Sequence, residues 1–182
     1  ADIPLAPNGI LLAEKTGEAL KDVRFDLCFS SPLARARKTA ELILDGQARE
    51  VPVIEDKRIQ EIDFGELEGV ICFNDAHEYL NPEMEKFFTD PWKFKRPKHG
   101  ENIADILART KDFWDEKIHD PSLLNKTILI ASHGCAVRAL LQNVYQDPEN
   151  FWHGCVPPNC SVNVVEVKNG QAVLLEEDKV YA

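Results

Sequence analysis

The sequence has no excess of positive charge: 21 Lys and Arg stand against 31 Asp and Glu, a formal net charge of -10 over 182 residues. That balance argues against nucleic acid or an anionic membrane surface as the main partner, because basic side chains carry most of the binding to either. It leaves a small anionic substrate open, since a local pocket can be basic on an acidic protein. No apolar run approaches the roughly 20 residues of a membrane-crossing helix. There is no CxxC pair, and the five cysteines (Cys28, Cys72, Cys135, Cys155 and Cys160) are odd in number and scattered. This usage fits reduced thiols, so a cytoplasmic location is expected. His153, Cys155 and Cys160 lie close together, but the loop around Pro157-Pro158 lacks a fourth obvious ligand, and no metal site is expected. Repeats, linkers and low-complexity segments are also absent. With 44% hydrophobic and 29% charged residues, residues 1–182 are expected to form a single domain with a good-sized core.

What is present alternates between helix and strand. Pro7 to Lys21 predicts a helix, with Pro7 in the first turn and Ile10, Leu11, Ala13 and Leu20 on its apolar side. Leu27 to Phe29 reads as a short buried strand. Ser31 is then expected as the N-cap of a second helix, with Pro32 at the first helical position and Leu33, Ala36, Ala40 and Ile43 as its buried stripe. Val51 to Ile54 predicts another strand. From Ile59 to Gly69 neither period persists, and two glycines among four carboxylates suggest an ordered loop. Asn74 to Phe88 is expected to be helical with an interruption at Pro82, and Asn102 to Ile118 strongly so. Thr127 to Ser132 contains no ionisable residue and suits a strand buried on both faces. Asn169-Gly170 between two apolar stretches signals a hairpin. The fold class expected is α/β: a three-layer αβα sandwich with a mostly parallel central sheet and helices on both faces.

Three ionisable residues stand where such a sheet would aim them at one edge. His133 follows the apolar strand and precedes a helix, the edge where open α/β sheets bind ligands and where helix N-termini attract anions. Arg35 lies about one turn into the helix after the Leu27 strand, placed to join that N-terminus in holding a phosphate or carboxylate. Glu61 lies in the acidic loop, where nearby negative charge would raise its pKa and suit it to general acid work. Each has a plainer reading: a buried histidine on a backbone carbonyl, a surface arginine beside Arg37 and Lys38, and a solvated carboxylate among Asp63, Glu66 and Glu68. The basic stretch Lys93, Lys95, Arg96 and Lys98 reads as a solvated loop.

The order of these segments resembles the histidine phosphatase superfamily, also called phosphoglycerate mutase-like. Ser30-Ser31-Pro32-Leu33-Ala34-Arg35-Ala36 and Thr39-Ala40 match its SSPLxRAxxTA signature. Glu61 to Gly69 is similar to its ExxFGxxEG segment, with Leu67 where tryptophan is common. Pro97 to Asn102 approximates PxGES. Ile128 to Leu141 matches the strand and SHGxxxRxLL element, and Asp2-Ile3-Pro4-Leu5 with Gly9 resembles DxPLxxxG. The resemblance implies phosphoryl transfer from a small phosphorylated substrate, with no metal or cofactor. Arg35 would clamp the phosphoryl oxygens, Glu61 would protonate the leaving oxygen, and His133 would donate to the phosphoryl group in the transition state.

The family's Arg-His-Gly motif, whose histidine attacks phosphorus, is not in the sequence. In the family it lies on the first sheet strand, just upstream of the DxPL region, so the domain is expected to lack that strand here and the nucleophile is expected upstream of residue 1. Trp152-His153-Gly154 carries the dipeptide in a loop, not after a strand. The resemblance thus implies a phosphomonoesterase working through phosphohistidine. The alternatives are a phosphoglycerate mutase, or a non-catalytic phosphate-binding or regulatory protein.

Overall fold

A computed structural model describes residues 1–181. At its centre β1 (Leu27–Ser30) is the middle strand of a three-stranded parallel sheet, with β2 (Val53–Glu55) on one side and β3 (Ile128–Ala131) on the other. Cys28 faces both Val53 and Leu129, and Ser30 faces both Glu55 and Ala131. Parallel neighbours need long crossovers. That between β1 and β2 contains α2 (Ala34–Leu44), and that leading to β3 contains α3 (Pro82–Thr89) and α4 (Ile103–His119).

Alternation along β1 divides the core between two layers of helices. Cys28 packs with Leu20 of α1 (Pro7–Leu20), Ala40 and Ile43 of α2, Phe25, Val51 and Ala131. Its neighbour Phe29 points the other way, to Phe113 of α4, Leu140 of α5 (Gly134–Leu141) and Ile59. The Phe29 and Phe113 rings meet edge to face with centroids 5.5 Å apart, a favoured aromatic geometry. A third cluster lies under the loops, where Phe87 of α3 meets Phe64, Phe94 and Trp152. These layers are the αβα arrangement expected from the sequence.

Three expectations change in detail. β3 has one strand neighbour among the described residues. Ile128 and Leu129 pack on opposite faces, but Ile130 is 40% exposed, so the apolar run is not covered on both faces along its whole length. Residues 74–80 are not helical. The Asn74 side chain accepts the backbone N–H groups of Ala76 and Glu78, both at 2.9 Å, a local bond that competes with helix formation. Pro82 starts α3 instead of interrupting it, with Asn81 capping Glu83 and Met84. The third change concerns Ser31, which does not cap α2.

β4 (Val162–Lys168) and β5 (Gln171–Lys179) form the expected antiparallel hairpin as a separate two-stranded sheet. Asn169 and Gly170 both have positive φ, 53° and 73°, as the tight hairpin turn requires. Among the described residues no helix is long and apolar enough to cross a membrane.

Candidate active site

His133 follows β3 and occupies the N-cap position of α5 with extended backbone, φ −135° and ψ 166°. Its side chain does not cap the helix. Instead Nε2 lies 2.8 Å from Ser31 Oγ at the end of the adjacent strand β1. The sheet brings the two together, since Ser30 is in register with Ala131 and the Ser31 N–H donates to the Ala131 carbonyl at 2.9 Å. Ser31 is therefore not the N-cap of α2. That helix begins at Ala34, with Leu33 as an extended N-cap. Pro32 disfavours helical dihedrals at the residue before it, which leaves the Ser31 hydroxyl facing the imidazole. The first N–H of α2, that of Ala34, donates to the Asp2 carboxylate at 2.8 Å.

Glu61 lies between two 3-10 turns, Lys57–Ile59 and Gly65–Leu67. Its carboxylate accepts the backbone N–H of Cys135 at 3.2 Å and of Ala136 at 3.1 Å, and that of Ile62 at 3.0 Å. The first two are N–H groups of the first turn of α5, which have no partner within the helix. A carboxyl group thus sits on the helix N-terminus beside His133. Burial raises the Glu61 pKa against the opposing pull of these N–H groups and of Arg35. Burial also drives the His133 pKa down, to about 3, assisted by the charges of Arg35 and Arg109. Near neutral pH the imidazole is uncharged, with one ring nitrogen protonated and one free.

Arg35, the second residue of α2, donates from one terminal nitrogen to the Ala1 carbonyl at 3.1 Å. Its charge acts on both Glu61 and His133, whereas Arg37 and Lys38 pair with Glu41 on the exposed face. The structure therefore gathers all three residues singled out from the sequence at one edge of the sheet.

The other basic and histidine candidates lie elsewhere. His153 has φ 49° and stacks on Tyr145 with centroids 3.4 Å apart, its Nδ1 3.5 Å from Glu177. Lys93 pairs with Asp90 and Arg96 with Asp105. Among the described residues no three His, Cys, Asp or Glu side chains group so as to hold a metal ion. Sequence reasoning missed two contributors: Ser31 as the partner of the imidazole, and Arg109. The available signal for Arg109 was a charged residue flanking the apolar stripe of a strong helix.

An open parallel sheet that gathers an imidazole, a carboxyl group and a guanidinium at the carboxyl ends of its strands defines an α/β protein with an anion-type site. The chain belongs to the histidine phosphatase superfamily (branch 1), whose family model matches residues 1–178. It is 33% identical over 147 residues to 2,3-bisphosphoglycerate-dependent phosphoglycerate mutase 2 of Gloeobacter violaceus, covering 79% of this chain and 65% of that protein. It is 30% identical over 172 residues to the 2,3-bisphosphoglycerate-dependent phosphoglycerate mutase of Enterococcus faecalis, covering 79% and 75%. The chain thus spans between 65% and 75% of the length of these two relatives. Among solved structures it is similar to Bacillus stearothermophilus YhfR, with a TM-score of 0.84 at 25% identity, covering 98% of this chain and 86% of the other. It also resembles a phosphoserine phosphatase of Entamoeba histolytica solved in complex with phosphoserine, with a TM-score of 0.70 at 27% identity, covering 97% and 84%.

Proposed function

We propose that the protein hydrolyses a small phosphomonoester through a phosphohistidine intermediate. The observation that carries this reading is the pairing of a buried carboxyl group with an uncharged imidazole at the N-terminus of α5. A phosphoryl group there would meet Arg35 as counter-ion and His133 as a neutral N–H donor aimed at its oxygens. Such preorganised donors supply most of the stabilisation in phosphoryl transfer. The attacking histidine is proposed to lie outside residues 1–182. Its ring nitrogen forms the N–P bond while the P–O ester bond breaks, and the Glu61 carboxylic acid protonates the departing oxygen. Water then attacks the phosphohistidine as the Glu61 carboxylate takes its proton, returning both groups to their starting states. A covalent intermediate divides one difficult displacement into two. The scheme includes no metal ion or cofactor, nucleic acid or membrane. All five cysteines are free thiols, which supports a reducing compartment and hence the cytoplasm.

The names of the curated relatives favour a second reading, phosphoglycerate mutase, in which the phosphoryl group returns to substrate instead of passing to water. The two are separated by assaying the full gene product with phosphoserine and with 3-phosphoglycerate. Phosphate release together with a ³¹P signal of an acid-labile phosphohistidine is expected. Isomerisation of phosphoglycerate outpacing phosphate release would replace the phosphatase by the mutase. Neither reaction and no phosphohistidine would leave only a non-catalytic phosphate-binding protein.

A further inference from the structure

Among the described residues the loop that carries Glu61 has no strand partner to hold its backbone, and yet its carbonyl groups are engaged one after another. Arg109, in the middle of α4, donates from one terminal nitrogen to the carbonyls of Arg58 and Gln60, both at 2.8 Å, and from the other to the carbonyl of Glu61 at 3.0 Å. Its remaining donors form a fork on Glu101, at 2.7 and 2.8 Å. All five guanidinium N–H groups are thereby used. The intervening carbonyl, that of Ile59, accepts from the hydroxyl of Ser132, the residue before His133, at 2.8 Å. Glu101 also accepts the Asp63 N–H at 3.0 Å, and its own N–H donates to the Asp63 carbonyl at 2.7 Å. Arg109 and Glu101 are each about four-fifths buried, where unpaired carbonyls or charges would be costly.

We infer that Arg109, held by Glu101, is a positioning residue for Glu61. Glu61 is clasped from both sides: its carbonyl by α4 through Arg109, and its carboxyl group by the N-terminus of α5. Because α4 and α5 pack together, the guanidinium sets where the acid stands relative to His133. A lysine keeps the charge but is a point donor without the planar fork, and it cannot serve a carboxylate and three carbonyls together. The inference rests on the reading of Glu61 as the acid.

The test uses Arg109→Lys in the full gene product, with Arg58→Lys as a comparison. Arg58 binds Asp56, Asp112 and Glu116 away from the acid. The first readout is the Glu61 carboxyl titration by ¹³C NMR, assigned by its loss in Glu61→Gln. Arg109→Lys is expected to move that pKa down toward the ordinary carboxylate value as the group leaves its buried seat, and Arg58→Lys is not. The second is leaving-group dependence. Turnover of an alkyl phosphate, which needs the acid, is expected to fall about 100-fold in Arg109→Lys, while an activated aryl phosphate loses less than about fivefold. An unchanged titration, or equal losses on both esters, would overturn the inference. If the wild-type protein hydrolyses neither ester, the phosphatase reading fails and the titration alone decides the positioning role. Should Arg109→Lys not fold, Glu101→Gln, which keeps the shape and removes the charge, carries the same two readouts.

Discussion

Glu61 and His133 are both ionisable and both partly buried, and desolvation moves the carboxyl pKa up and the imidazole pKa down. A carboxyl group with a raised pKa beside a neutral imidazole suits delivery of a proton to a leaving oxygen while the imidazole donates a hydrogen bond to the phosphoryl group. Removing one preorganised stabiliser costs about 10²–10³ in rate, so Arg35→Ala and His133→Ala should each lower phosphomonoester turnover by that factor. Steady-state assays showing wild-type turnover in both variants would contradict the assignment. The histidine also leaves a mark on stability. Below its ordinary value of 6.5 the unfolded chain takes up a proton that the folded one refuses until about pH 3. Wild-type stability is therefore lost as pH falls through that window, the unfolding constant rising by up to about tenfold per pH unit from this group. Chemical denaturation from pH 7 to pH 4 should show a shallower loss for His133→Asn, and parallel profiles would refute the buried neutral imidazole.

Among the elements, the loop after Glu61 is held by backbone laid on backbone. The Gly65 turn docks on the Lys98–Gly100 turn, and a Cβ at Gly65, where φ is +51°, would come 2.3 Å from the Lys98 carbonyl oxygen. Gly69 has φ +77° with nothing within 4 Å. Left-handed backbone costs a substituted residue about 1–2 kcal/mol at either position, but only Gly65 adds a clash with immobile backbone. Gly65→Ala should lose at least twice the stability that Gly69→Ala loses, measured by denaturant titration, and should also reduce turnover because the turn lies in the loop that carries the acid. Equal losses would mean that the docking is slack. The same turn pair explains why the carboxylates near Glu61 have different fates. Asp63 and Glu66 are tied to loop backbone, and only Glu61 is directed at α5.

At the scale of the whole molecule, the hairpin shares no ladder with the main sheet among the described residues, and buried Arg138 ties it to α5. Arg138 of α5 is fully buried and binds the Tyr145 hydroxyl at 2.8 Å, the Cys155 carbonyl at 2.9 Å, Glu177 at 3.1 Å and Asp178. Removing one partner of a buried ion pair costs about 3–5 kcal/mol, and the partial exposure of both carboxylates (35% and 20%) points to the lower end. Arg138→Met, which keeps most of the volume, should lose about that much. Hydrogen exchange should show β4 and β5 losing protection before β1. Uniform loss across both sheets would show that the hairpin and the main sheet open as one unit.

By itself the sequence determined the layers and the candidate residues. Apolar periodicity marks α1, α2 and α4, the uncharged run from Thr127 marks β3, and Asn169-Gly170 marks the hairpin, because those signals are local to the chain. Arg35, Glu61 and His133 stood out as ionisable groups beside strand ends and in an ordered loop. Only the tertiary structure decided what each of them touches. Ser31 has the residue type and place of a helix cap, yet it meets His133, 102 residues away, because two strands pair in register. Asn74 to Leu80 carries helical spacing, but a side chain that can bond its own backbone turned the chain instead. Arg109 holds carbonyls some 50 residues upstream, and backbone carbonyls carry no residue-specific pattern that a sequence could display. Local propensity is written in neighbours along the chain, whereas the raised carboxyl pKa and the neutral imidazole arise because packing removes both groups from water.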